Sequence, residues 1–185
     1  MIHLDETLLL GEGGDKFCYS HPFDKTRCIK IVKSDASAQK NIQIELRAYA
    51  LLQKRKIAAP YLSSYFGTLD TNLGLGYVFE YIASFIGGLE ELKPEELKER
   101  ILDLYQKCLI DSVVLRDLSI GNLRLDASRN IKIIDGLGAR EFFPICYWSR
   151  FFARQKIRRK FAELIDGLRE KTNEWTQPLR KGNAS

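Results

Sequence analysis

Histidine is scarce, with only His3 and His21, and the four cysteines Cys18, Cys28, Cys108 and Cys146 form no C-x-x-C pair. These shortages argue against a zinc centre. Each cysteine sits among apolar neighbours and reads as a small buried thiol. No stretch approaches the roughly 20 apolar residues needed to span a bilayer. The start, Met1-Ile2-His3-Leu4-Asp5-Glu6, lacks the basic region that opens a signal peptide, so a cytoplasmic chain is expected. Internal repeats and low-complexity tracts are also missing, which disfavours solenoids and disordered linkers.

What remains is an ordinary globular composition. Apolar residues make up 45% and charged residues 29% of 185 positions, enough for one domain with a proper core. The net charge of +5 points to an acidic partner, whether phosphate, nucleic acid or an anionic membrane. Much of the excess lies in Arg150, Arg154, Lys156, Arg158, Arg159 and Lys160.

The pattern along residues 1–82 reads β-β-β-α-β-β. A short apolar run at 6–10 stops at Gly11-Glu12-Gly13-Gly14, and an extended pattern resumes at Phe17-Cys18-Tyr19-Ser20. Arg27-Cys28-Ile29-Lys30-Ile31-Val32 alternates with the period of a strand. A helix is predicted over 37–56, with Pro60 as its stop, and strands over 65–69 and 75–81. Residues 83–185 read as mainly helical. Pro94 opens an amphipathic helix, and strand-like pieces are expected at 113–115, 123–125 and 131–134. A basic helix follows from Ile145, with Ile157, Phe161, Leu164, Ile165 and Leu168 as its buried stripe.

Leu115-Arg116-Asp117-Leu118-Ser119-Ile120-Gly121-Asn122 matches the kinase catalytic loop H-R-D-L-x-x-x-N, with leucine in place of histidine. Ile133-Ile134-Asp135-Gly136 follows, an apolar strand ending in Asp-Gly where kinases carry D-F-G. The two aspartates are 18 positions apart (135 − 117). Either piece alone is an ordinary turn signal; the ordered set at this spacing carries the inference. Phosphoryl transfer asks a protein mainly for positioning and charge neutralisation. Asp117 is the candidate to orient a hydroxyl and accept its proton, while Asn122 and Asp135 offer hard oxygens for magnesium.

Upstream partners fit the same scheme. Gly11, Gly13 and Gly14 lie between two strands, where bare backbone can approach phosphate, and Lys16 replaces the third glycine of G-x-G-x-x-G. Lys30, in Cys28-Ile29-Lys30, is the candidate to grip the nucleotide phosphates, with Lys33 as a nearby rival that reads as solvated. Glu45 lies mid-helix among apolar residues, and an ion pair with Lys30 would rationalise an acid there. Phe79-Glu80-Tyr81-Ile82 resembles a kinase hinge, whose backbone at Glu80 and Ile82 would meet the adenine edge.

Taken together these segments resemble the protein-kinase-like superfamily. The run 116–122, the Cys28-Ile29-Lys30 strand and the basic 156–160 helix resemble more particularly the bacterial YrbL family, associated with the PhoP regulatory network. The superfamily resemblance implies an α+β, two-lobed fold in one domain: a five-stranded antiparallel sheet with one helix, then a reduced, mainly helical second lobe. It implies ATP and Mg2+ as cofactors and a hydroxyl acceptor. The chain departs from ordinary protein kinases at Ser119, where they usually place lysine, and residues 136–185 hold no A-P-E element. These departures favour a small-molecule or glycan kinase, and leave open a pseudokinase that binds nucleotide or regulates without transfer. Aromatics interleaved with arginines over 148–161 could also meet an anionic membrane, against the plainer reading of a solvated basic face. No motif for specific nucleic-acid binding is present.

Overall fold

The computed structural model describes residues 1–83, 89, 92–139 and 149–171. The N-terminal part is a five-stranded antiparallel sheet made of β1 (Leu9–Glu12), β2 (Lys16–Ser20), β3 (Arg27–Val32), β4 (Tyr65–Thr71) and β5 (Gly74–Glu80). The strand order is β1-β2-β3-β5-β4, and helix α1 (Ala36–Lys54) connects β3 to β4. The expected sheet of five antiparallel strands with one helix is thus present.

Register explains the sidedness of this sheet. Lys16 pairs with Val32, Cys18 with Lys30 and Ser20 with Cys28, while Lys30 and Cys28 pair with Tyr77 and Phe79 of β5. Because side chains alternate with a period of two, all of these share one face. On that face Cys28, Tyr77 and Phe79 pack against Ile42 of α1. The opposite face carries Ile29 and Ile31, covered by Leu4 from the N-terminal segment.

Three boundaries differ from expectation. Residues 6–8 form a 3-10 turn rather than the start of a strand, because the Asp5 carboxylate accepts the Thr7 N–H at 2.9 Å and closes the chain locally. Helix α1 is capped by Asp35, which accepts the Ala38 N–H at 2.9 Å, and ends at Lys54, well before Pro60. The apolar run Val113-Val114-Leu115 is buried but is not a strand; its one bridge joins Leu115 to Leu137. Burial on all sides produced the apolar run without any ladder of hydrogen bonds.

The second part holds α2 (Pro94–Asp111), a two-stranded ribbon of β6 (Leu123–Leu125) and β7 (Ile131–Ile133), and α3 (Arg150–Lys171). Helix α2 buries Leu97, Ile101, Leu104 and Cys108, spaced at three and four residues, and α3 packs on it through Ile157, Phe161, Leu164 and Leu168. The stripe expected on α3 is the buried one. No described helix is long and apolar enough to cross a membrane.

The two parts are stitched together beside β7. Ser63 donates its N–H to the Ile133 carbonyl at 2.9 Å, and Ile133 donates to Tyr61 at 2.8 Å. Lys132 of β7 adds an ion pair with Glu80 at the end of β5.

Candidate functional site

A cleft of about 720 Å3 lies between the sheet and the segments flanking the β6–β7 ribbon. Gly11, Gly13, Gly14, Lys30, Glu80, Ile82, Asp117, Asn122 and Asp135 all line it. Glu45 stands behind that lining, fully buried in α1. The candidate nucleotide, metal and catalytic residues therefore fall at one place, although the cations are arranged differently from expectation.

The acid on α1 pairs with Lys16, not Lys30. Lys16 Nζ lies 2.8 Å from Glu45 Oε2 and 2.7 Å from Asp135 Oδ2. Lys30 Nζ instead donates to the Ile134 carbonyl at 2.7 Å, stands 4.0 Å from Asp135 Oδ2, and sits 4.1 Å from the centre of the Phe79 ring. The reason is geometric. Lys16 and Lys30 are diagonal neighbours on one sheet face, and Lys16 stands two residue pairs nearer the glycine hairpin.

Electrostatics follow from this placement. Burial pushes the Glu45 carboxyl up, against the pull of Lys30 and Lys16, and its Oε1 has no hydrogen-bond partner. Burial would also raise Asp135, but Lys30 and Lys16 hold its carboxyl well below the usual carboxylate range. Burial works to lower Lys16, and the carboxylates of Glu45 and Asp135 more than offset it, so its ammonium is held charged. Two cations and two carboxylates thus form a compact, nearly neutral group at the back of the cleft.

The segment 115–122 is pinned from below. Arg116 and Asp117 donate their N–H groups to the Gly136 carbonyl at 2.7 and 3.2 Å, and Ile134 donates to Asn122 at 2.9 Å. Gly136 has φ +85, and a Cβ there would lie 2.1 Å from the Asp117 carbonyl oxygen. The Asp-Gly pair is therefore required by contact with the loop, beyond serving as a turn. The Asp117 side chain is exposed in the cleft and accepts from Asn122 Nδ2 at 3.0 Å.

At the far end of β5 the Glu80 N–H is committed to the Ser64 carbonyl and the Tyr81 N–H to Thr26, both at 2.8 Å. The Glu80 carbonyl accepts the Ser63 hydroxyl at 3.0 Å and the Cys28 thiol at 3.9 Å. Within the hairpin, Gly13 donates to the Lys16 carbonyl at 2.8 Å. Neither Gly11 nor Gly14 has positive φ or anything within 4 Å of an added Cβ, so neither is demanded by conformation or space. Their missing side chains leave the cleft mouth open. Lys33, the rival cation, turns away to pair with Glu12 at 2.6 Å.

Magnesium can be judged against these donors. Among the described residues no three His, Cys, Asp or Glu side chains cluster for a metal. Asp135 and Asn122 line the cleft together with the carboxylates of Asp117, Glu80, Asp15 and Glu12. Asp135 and Asn122 by themselves are a sparse oxygen pair, which fits a magnesium ion that takes most of its ligands from outside the protein, as opposed to an all-protein cage.

Sequence reasoning missed several lining residues, notably Cys18, Cys28, Ser63, Arg116 and Arg124. Arg116 donates to the Asn41 carbonyl at 3.2 Å and Arg124 to Gly121 at 2.9 Å. For Lys16, Cys18 and Cys28 a signal existed. Counting in twos back from Lys30 across the hairpin would have placed all three on its face. On α3, Phe151 and Phe152 are exposed beside exposed Arg150 and Arg154, and Trp148 lies outside the described residues.

Comparison with known proteins agrees over nearly the whole chain. Residues 2–169 match the family model for the PhoP regulatory network protein YrbL. The protein described as "Uncharacterized protein YrbL" from Escherichia coli (strain K12) is 32% identical over 183 residues, spanning 89% of this chain and 87% of that protein. The protein of the same description from Shigella flexneri matches to the same extent. With both the family model and these relatives covering most of its length, the chain belongs to the YrbL family.

Proposed function

We propose that this chain is an ATP- and magnesium-dependent phosphotransferase of the protein-kinase-like type, acting on a hydroxyl of a small molecule or glycan. The observation that supports this most is convergence. The glycine hairpin, Lys30, Asp117, Asn122 and Asp135 come from distant parts of the sequence and line a single cleft. The antiparallel sheet with its helix between β3 and β4 and the reduced helical second part suit a small two-lobed kinase-like fold.

In this reading the adenine lies against Glu80, Tyr81 and Ile82, and the phosphates run beneath Gly11, Gly13 and Gly14. Lys30 and Lys16 supply positive charge to the phosphate oxygens. Asn122 and Asp135 would hold magnesium, which supplies charge neutralisation on the phosphates when bound. Asp117, exposed and steadied by Asn122, orients the acceptor hydroxyl and takes its proton.

Thermal shift with magnesium and ATP tests the nucleotide site. At a hundred times Kd a ligand adds about 2.7 kcal/mol to stability. Wild type should gain this, while Lys30→Ala and Asp135→Ala should lose most of the gain. No shift in a cooperatively melting wild type would refute ATP binding.

One observation favours a pseudokinase as second reading. Lys16 already neutralises Glu45 and Asp135, the two acids that phosphoryl transfer would engage. Full cellular function in Asp117→Ala would decide for that reading. A peripheral contact of α3 with anionic membrane is the remaining proposal on partners, resting on exposed Phe151 and Phe152 beside arginines. Failure to sediment with anionic vesicles at low salt would dismiss it.

A further inference from the structure

Two of the cysteines do more than fill space. Cys18 faces Lys30 across the β2–β3 ladder, and Cys28 lies two residues from Lys30 on the same strand and face. The two thiols are therefore diagonal neighbours on paired strands, and both line the cleft. The Cys28 thiol lies 3.9 Å from the Glu80 carbonyl. Cys18 is partly exposed, whereas Cys28 and Cys108 are buried, and all three are free thiols.

We propose that Cys18 and Cys28 form a peroxide-sensitive thiol pair, in which Cys18 is oxidised first and Cys28 resolves it to a disulfide across β2 and β3. The cleft gives a small peroxide access to Cys18, and the ammonium groups of Lys30 and Lys16 stabilise a thiolate there. The Cys18 thiol is accordingly lowered to about 7 by its hydrogen bond with Cys28 and, against burial, by those two lysines. Cys28 is pushed up by the same hydrogen bond and by burial, and stays a thiol.

The chemistry balances in two steps. Cys18 sulfur attacks one peroxide oxygen; an S–O bond forms, the O–O bond breaks, and the departing hydroxide takes the former thiol proton as water. Cys18 is now a sulfenic acid. Cys28 sulfur then attacks Cys18 sulfur; an S–S bond forms, the S–O bond breaks, and the hydroxyl leaves with the Cys28 proton as a second water. The two thiols have lost two electrons and the peroxide has gained them. Diagonal strand neighbours stand about 7–8 Å apart, beyond the span of a relaxed disulfide, so closure requires the backbones of the two strands to move together.

The test uses the full chain, reduced and then transferred to thiol-free buffer at neutral pH. One equivalent of hydrogen peroxide is added, remaining thiols are alkylated under denaturing conditions, and peptides are mapped. The expected product is a Cys18–Cys28 cross-linked peptide pair, lighter by two hydrogens and cleaved by a thiol reductant, with Cys108 alkylated. Cys28→Ser should stop at a Cys18 sulfenic acid trapped by dimedone. If that variant misfolds, the wild type answers through alkylation rates. Cys18 should react with iodoacetamide at pH 7 about tenfold faster than an ordinary thiol. A cross-link between two copies, oxidation falling first on Cys108, or Cys18 alkylating no faster than an ordinary thiol would each overturn the proposal. ATP binding plays no part in the readout.

Discussion

Lys16 bridges Glu45 and Asp135, with its ammonium 2.8 Å from the first carboxylate and 2.7 Å from the second. One cation from the glycine hairpin thereby ties α1 to the segment that follows β7. Removing one partner of a buried pair leaves an uncompensated charge, at a cost of about 3–5 kcal/mol. Urea unfolding should show a loss of that size for Lys16→Met and a smaller one for Lys30→Met. The double variant Lys16→Met/Glu45→Leu should recover most of it. Equal losses for the two lysines would mean that the acid is shared between them.

Acid should weaken the fold through Asp135. Burial acts to raise its carboxyl, yet Lys30 and Lys16 hold it below the ordinary value. A carboxyl depressed in the folded state contributes stability that is whole above about pH 4 and is lost as pH falls towards the folded value. Denaturant midpoints should therefore drop with pH below about 4. Asp135→Asn should flatten that limb, and an unchanged slope would remove Asp135 as its source.

Gly136→Ala should be severe for its size. The added methyl meets the Asp117 carbonyl oxygen at 2.1 Å and the backbone stands at φ +85. Backbone strain and displacement of the loop together suggest a loss of about 2–4 kcal/mol. Gly14→Ala, with open space around it, should melt close to wild type. Thermal denaturation of the two proteins side by side checks the contrast.

Asp117→Asn should separate folding from chemistry. Its side chain is exposed, with Asn122 Nδ2 as its side-chain contact, so stability should change by no more than about 0.5 kcal/mol. Any phosphoryl transfer to an acceptor hydroxyl should vanish. Activity retained in the asparagine variant would deny the carboxylate its role as base.

The sheet was legible because alternation and glycine breaks are local, as in Arg27–Val32 and the Gly11–Gly14 hairpin. Convergence of Asp117, Asn122 and Asp135 was legible through motif order. The partner of Glu45 was not, because choosing between Lys16 and Lys30 depends on the diagonal of a ladder whose register is a tertiary property. Val113–Leu115 misled for a related reason. Complete burial yields the same apolar run in a strand and in an irregular core segment. Cys18 and Cys28 looked inert because sequence cannot show that their common face forms a cleft wall.

The stitching beside β7 has a mechanical meaning. Ser63 donates to the Ile133 carbonyl and Ile133 donates to Tyr61 across the junction, and Lys132 is moored to Glu80. That corner acts as a fixed pivot, since two main-chain bonds and an ion pair would have to break for it to hinge. Gly11 and Gly14, at the opposite margin, carry no side chains to anchor them. The hairpin margin is therefore moored by side-chain pairs, Lys33 with Glu12 and Lys16 with Glu45 and Asp135, whereas the pivot is moored mainly by the backbone itself.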